Sequence, residues 1–309
     1  MINNILIIVL NILFLLIMPF FMVGLIKKTK AFFGGRKGIS IFQPFYDFIK
    51  LLKKGQVISS STSWIFKIAP LVIFSSVIFA GLFAPIFYGK AIIELECAFV
   101  VFSYLLGFSK FFAIISAFDT GSSFEGMGSS REACFTTLIE PAFFIILASI
   151  AVLTGNSTFN SISMILTSTG AFGLLITIMM VAAIFIMLLV ECSRVPVDDP
   201  ETHLELTMIH EVMILDNSGF DLALITYASG IKMAILSAII VNLILPSALN
   251  GALFAVLFIA LTLLLAIIIG IIESMMARIR MSHVFEFVFI MSSIALVIAS
   301  LVAVRMFGV

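Results

Sequence analysis

NNILIIVLNILFLLIMPFFMVGLI (residues 3–26) runs without a break into KKTKAFFGGRKGISIFQPFYDFIKLLKKG (residues 27–55). The first stretch is apolar over about the 20 residues that an α-helix needs to cross a hydrocarbon core of ~30 Å. The second holds eight basic residues, Lys27, Lys28, Lys30, Arg36, Lys37, Lys50, Lys53 and Lys54, against the single acid Asp47. Basic loops stay in the cytoplasm, so this pair of stretches predicts a spanning helix whose N-terminus lies outside. No basic region precedes the apolar run, and it is as long as a bilayer is thick, so it reads as a retained helix and not as a cleaved signal.

The rest of the chain extends that reading. Of 309 residues 62% are hydrophobic and 11% charged, with a mean hydropathy of +1.28, whereas soluble domains are about 45–50% apolar and about 25% charged. Eight apolar windows, at 3–26, 64–88, 92–116, 135–154, 171–191, 222–246, 251–272 and 284–304, predict an all-α polytopic membrane protein with eight transmembrane helices. Both termini then lie outside, the loops after spans one, three, five and seven face the cytoplasm, and 1–309 forms a single membrane domain. Nearly all loop charge falls in those four loops, which is an independent check on the count. Within the first, Phe42, Phe45, Ile49 and Leu52 recur at helical spacing opposite Lys50, Lys53 and Lys54, which predicts a short amphipathic helix along the interface. Cys97, Cys134 and Cys192 match no CxxC spacing, so neither a disulfide framework nor a metal or iron–sulfur site is expected in this chain. There is no Ser/His/Asp arrangement, P-loop or GxGxxG, so no catalytic residue is assigned. The zero net charge gives nucleic-acid binding no support.

The charges that remain are concentrated. In ECSRVPVDDPETHLELTMIHEVMILDNSG (residues 191–219), Asp199 and Pro200 form an N-cap and N1 pair with Glu201 in the first turn, which predicts a helix over 200–215. Glu201 and Glu205 would share one face, with Asp198 just upstream, and His203 and His210 another. The apolar residues between them argue that the segment packs against protein or lipid. Carboxylates gathered in such a setting titrate as a coupled group, which suits a proton relay of Glu191, Asp198, Asp199, Glu201 and Glu205. The stretch SAFDTGSSFEGMGSSREACFTTLIEP (residues 116–141) reads as a tight Gly/Ser loop with Arg131 and Glu132 opening the next helix. Glu140 lies about two turns inside that helix, where an acid costs ~2.5–3.5 kcal/mol and needs a partner. Lys232 is the other intramembrane charge, and Glu140 is one candidate partner among several. Lys110, Glu94, Glu96, Glu273 and Glu286 lie nearer span ends, where snorkelling is cheap, and His283 is isolated and structural.

GRKGISIFQPFYDFIKLLKKG (residues 35–55) resembles the stretch after the first helix of the H subunit of bacterial respiratory complex I, which is chain 1 in mitochondria. Arg36, Gly38, Gln43, Pro44, Asp47 and Lys50 carry the match. Arg194, Pro196, Asp198, Glu201 and Glu205 follow that family's acidic pattern, with His203 where a middle acid would stand. FDTGSSFEGMGSSRE (118–132) and PVDDPETHLELTMIHEVMILDNSG (196–219) resemble instead the membrane-anchor subunit of group 4 membrane-bound nickel–iron hydrogenases, of the formate hydrogenlyase subunit 4 and hydrogenase-4 component C type. The resemblance covers essentially the whole chain. It implies a prokaryotic inner-membrane subunit that anchors a cytoplasmic hydrogenase arm and couples its redox chemistry to proton or sodium movement. The expected partners are the hydrogenase large and small subunits, an iron–sulfur subunit, an antiporter-like membrane subunit and the lipid bilayer. No cofactor is expected in this chain, since the nickel–iron centre and iron–sulfur clusters belong to those partners. Docking is expected at Arg36, Gln43, Asp47, Lys50, Asp119, Glu132, His203, His210 and Glu211. The relay is expected to use Glu140 and the acids above, with Arg131, Arg194 and Lys232 as counter-charges. The alternative is the quinone-binding chain 1 of a complex I-type NADH dehydrogenase.

Overall fold

The computed structural model describes residues 2–159, 162, 165, 170–199, 208–246 and 251–307. Among them there are α-helices and no strands, and eight helices are long and apolar enough to span a membrane. The chain is therefore a multi-pass membrane protein. The helices are α1 (Ile2–Phe33), the short α2 (Gln43–Lys53), α3 (Trp64–Phe83), α4 (Ala98–Asp119), α5 (Ser123–Thr154), α6 (Gly170–Glu191), a single turn α7 (His210–Met213), α8 (Gly219–Ile244), α9 (Gly251–Met275) and α10 (Met281–Phe307).

α8 is the centre of the bundle. Its apolar window is 89% buried, against 28% for α9 and for α10, and α1, α2, α3, α6 and α9 all pack on it. Outside it run the pairs α3–α4, α4–α5, α5–α10, α10–α6 and α1–α9. A helix apolar on all sides is one that belongs inside a bundle. Pro19 in α1 removes one backbone donor, and close by the Tyr227 hydroxyl of α8 donates to the Leu16 carbonyl at 2.7 Å.

The four charged loops do meet on one face. Ser218 bonds the backbone of Val57 in both directions, the Ser61 hydroxyl donates to the Thr120 carbonyl, and Lys30 reaches Asp199 and Glu273. At the opposite end Asn11, which is fully buried, donates to the Lys90 carbonyl and accepts from the Phe87 amide. Asn242 donates to the carbonyls of Pro85 and Ile86 at 2.8 and 3.1 Å.

Three expectations shift. The second span ends at Phe83 and the third begins at Ala98, because Pro85 has no N–H to give and the two asparagines hold the intervening backbone in a compact turn. The Gly/Ser stretch is not wholly a loop: α5 begins at Ser123, so Gly126 and Gly128 are already helical and Arg131 and Glu132 lie about two turns inside the helix they were expected to open. The helix expected over 200–215 falls partly on residues 200–207, outside the described residues. Its described part is helical only at His210–Met213, since Asp198 holds the amides of Ile209 and His210 and so starts the turn there.

Candidate functional site

Four charged side chains converge in the inner half of the bundle. Lys110 of α4 lies 2.6 Å from a Glu132 oxygen of α5 and 2.9 Å from Glu191 Oε1 at the end of α6. The other oxygen of Glu191 is 3.4 Å from Lys232 Nζ on α8. Lys110, Glu132, Glu191 and Lys232 are all buried, at 5%, 6%, 8% and 7% exposure. Glu140 lies half-buried beside this chain, its carboxylate against Gly107, where an added Cβ would stand 2.9 Å from Oε1. The glycine makes the space the carboxylate occupies.

Two spaces meet at Glu140. One is a narrow interior gap of about 10 Å³ shared with Lys110 and Glu191. The other is a groove of about 720 Å³ between α4 and α5, open on the outside of the bundle and flanked by Tyr104, Phe108, Phe111 and Phe144. The five groups set three carboxylates against two ammoniums. In such a set, neutralising any member redistributes the ion pairs among the rest. Burying charges is expensive unless each is partnered, so exchanging one member of these ion pairs for an apolar residue would strand its partner and be costly.

A second ionic group closes the charged face. Arg194 pairs with Glu273 at 3.3 Å, and Lys30 lies 3.3 Å from Asp199 and 3.8 Å from Glu273. Asp198 pairs with Arg278 at 3.2 Å while its other oxygen accepts both amides of the α7 turn at 3.0 Å. Arg131 donates to the Met208 carbonyl at 3.0 Å. Asp198, Asp199, Arg131 and Arg194 thus latch the loop before α8 onto the helices. Between them and the inner cluster lies Cys192, whose thiol burial pushes up to about 12, so it stays neutral at physiological pH.

Of the residues expected in a relay, the structure brings together Glu140, Glu191 and Lys232, and puts Asp198, Asp199, Arg131 and Arg194 in the latch instead. Glu201, Glu205 and His203 lie outside the described residues. Glu132, expected at a docking surface, belongs to the buried cluster. Asp119 accepts the Ser63 and Phe66 amides at 2.7 and 3.3 Å and so caps α3. Gln43 donates to Asp47 within α2 at 2.8 Å, Arg36 and Lys50 are exposed, Glu211 is half-buried, and His210 lines an inner cavity.

Two residues assigned to span ends are buried partners: Lys110 lies deeper than expected, while Glu273 does stand near an end, two residues before α9 stops. Lys110 is the hub of the cluster and Glu273 is buried in the latch. The third span ends at 119 and not at 116, so Lys110 sits nine residues before its end, about 13 Å deep at ~1.5 Å per residue. The signal was present: Ser103, Gly107 and Lys110 form a small and polar stripe at helical spacing, the mark of a buried helix interface. Glu94 and Glu96 are exposed as expected, and Glu286 pairs with His283 on the surface.

Residues 5–304 match the family described as NADH dehydrogenase. Hydrogenase-4 component C of Escherichia coli (strain K12) is 29% identical over 227 residues, covering 74% of this chain and 70% of that one. Formate hydrogenlyase subunit 4 of the same organism is 28% identical over 140 residues, 45% of this chain and 46% of the relative. Among solved structures, a chain of the membrane-bound sulfane sulfur reductase, an archaeal respiratory membrane complex, superposes with a TM-score of 0.81 over 97% of this chain and 99% of that one. At 18% identity that likeness speaks for the fold.

Proposed function

The chain belongs to the NADH dehydrogenase family, and on that premise we propose that it is the membrane anchor of a group 4 nickel–iron hydrogenase complex. In this reading it couples the redox chemistry of a soluble arm to ion movement. The arm carries the nickel–iron centre and the iron–sulfur clusters, and docks on the charged face at the cytoplasmic side of a prokaryotic inner membrane. The relationship to hydrogenase-4 component C supports the choice of complex. The observation that carries the coupling is the buried series Glu132–Lys110–Glu191–Lys232 with Glu140 at its lateral end. A structural anchor has no need of five charges inside a bundle, and each raises the cost of folding in the membrane.

Glu140 faces a groove on the outside of the bundle. There an antiporter-like membrane subunit would cover the carboxylate and continue the path. The basic loop with α2 and the latch around Asp198 form the surface offered to the arm. The alternative, a quinone-binding subunit, is favoured by one observation: a cavity of about 200 Å³ between α1, α2 and α8 that Phe20, Phe48 and Tyr227 line.

Isolation of the assembled complex through a tag on this chain tests both. Nickel in the preparation and hydrogen evolution from it are expected, together with ion movement in sealed vesicles that Glu140→Gln and Glu201→Gln diminish. Hydrogen evolution and coupling untouched by both changes would defeat the relay. Co-purified quinone, with turnover blocked by a quinone-site inhibitor, would favour the alternative.

A further inference from the structure

The inner cluster has a second opening besides Glu140. A cavity of about 30 Å³ is lined by Lys110, Glu132, Glu191 and Lys232, and on the side of the charged face by His210. That volume is enough for a water molecule among polar partners. His210 is in the one-turn helix α7, and its backbone is fixed from three sides. Asp198 accepts the Ile209 and His210 amides, Arg131 holds the Met208 carbonyl, and Glu125 accepts the Asp216 amide at 3.0 Å. Gly128 allows this proximity. A Cβ there would stand 2.8 Å from the Ile209 carbonyl, and Gly128 and Glu132 lie four residues apart on one face of α5. The same face that admits the turn therefore carries the cluster's first carboxylate. No hydrogen bond to the His210 ring is found among the described residues.

We infer that His210 loads protons into the Lys110–Glu132–Glu191–Lys232 cluster, and that the ion this cluster carries is H⁺ and not Na⁺. The inference rests on the relay reading above. Histidine is the side-chain type that exchanges protons most readily near neutral pH. Around it stand Lys110 of α4, Glu132 of α5, Glu191 of α6, Lys232 of α8 and Asp198 of the latch, with Glu211 on its own turn.

A hydronium ion from the solvent at the charged face gives its proton to a ring nitrogen, an O–H bond breaking and an N–H bond forming, and leaves as water. The imidazolium N–H bond then breaks, an O–H bond forms on Glu132 or Glu191, and the ion pair of that carboxylate with Lys110 loosens as its charge is neutralised. The ring returns to neutral and the proton is free to pass toward Glu140. A sodium ion has no comparable place. Hard cations of this kind are held by a shell of several oxygens, and three of the four carboxylate oxygens of Glu132 and Glu191 are already bonded to ammonium nitrogens.

The whole complex, reconstituted in sealed liposomes and driven by its own redox turnover, tests this with a pH-sensitive dye and radioactive sodium. Protons are expected to move without sodium. His210→Gln and His210→Ala should lower proton movement roughly tenfold or more in complexes that remain assembled, and free imidazole should restore the His210→Ala variant. Proton movement at the wild-type rate in His210→Gln would overturn the loading role while leaving the relay standing. A loss that imidazole does not repair would reduce His210 to a structural part. Sodium movement in place of proton movement would overturn the ion assignment. A wild-type complex that turns over and moves no ion would remove the relay reading, and this inference with it.

Discussion

The two ends of the bundle bury polar groups by opposite means. At the end away from the latch Asn11 and Asn242 are 0% and 1% exposed, and their amides satisfy the carbonyls and amide of the turn that follows α3. No charge is used. At the charged end two lysines and two carboxylates share a buried chain of ion pairs, with a latch of further acids and bases around it. If holding backbone together were the whole need, neutral amides would serve at both ends, because a hydrogen-bonded amide costs far less to bury than an ion. In the proposed reading the ionic chain serves what charges do and amides do not, which is to exchange protons.

Glu191→Gln strikes hardest at the charged end. It removes a counter-ion that Lys110 and Lys232 share, leaves Lys232 without its ion pair inside the bundle while Lys110 keeps only Glu132, and should cost about 3–5 kcal/mol. Thermal unfolding of the complex in mild detergent reads the loss, and ion movement should vanish with it. An unchanged melting transition would mean that water reaches the cluster freely and that it is not a buried device. Asn242→Ala comes next: it strands the Pro85 and Ile86 carbonyls and should cost about 1–3 kcal/mol, with ions moved per turnover unaltered. Any fall in that ratio would erase the distinction between the two ends.

Lys30→Gln should have the smallest effect, about 0.5–1 kcal/mol. Its ion pairs are partly open to solvent, and Arg194 still neutralises Glu273. Added salt should weaken this latch and leave the inner cluster untouched, and hydrogen exchange at the loop before α8 is the measurement that separates them.

Much of the architecture was open to reading in the sequence. Apolar runs of bilayer length, the basic residues between Lys27 and Lys54, and the amphipathic pattern of α2 each express a local rule, so the eight helices and the single charged face followed from them. Boundaries did not, because the turn after α3 is fixed by Asn11 and Asn242, which are remote in sequence. The candidate site was half legible. Glu140, Glu191 and Lys232 stand out as charges inside apolar windows. Glu132 was taken for a docking residue at the opening of a helix because the Gly/Ser-rich stretch before it looks unfit for one, yet Gly128 is there to let the backbone of Ile209 approach.

Sequence alone thus sufficed for a multi-pass helical membrane protein, its family resemblance and the identity of its anomalous charges. Those are properties of composition, period and local motif. It took the packed bundle to show that Lys110 is a hub, that Asp198 and Arg194 serve a latch, and that His210 faces the cluster from the charged side. Depth and pairing depend on helices brought together across the fold, from α4 to α8, and no local pattern carries that distance. A greasy first helix and its basic loop made the membrane class legible, and the packing of α8 against its neighbours gave the charges their partners.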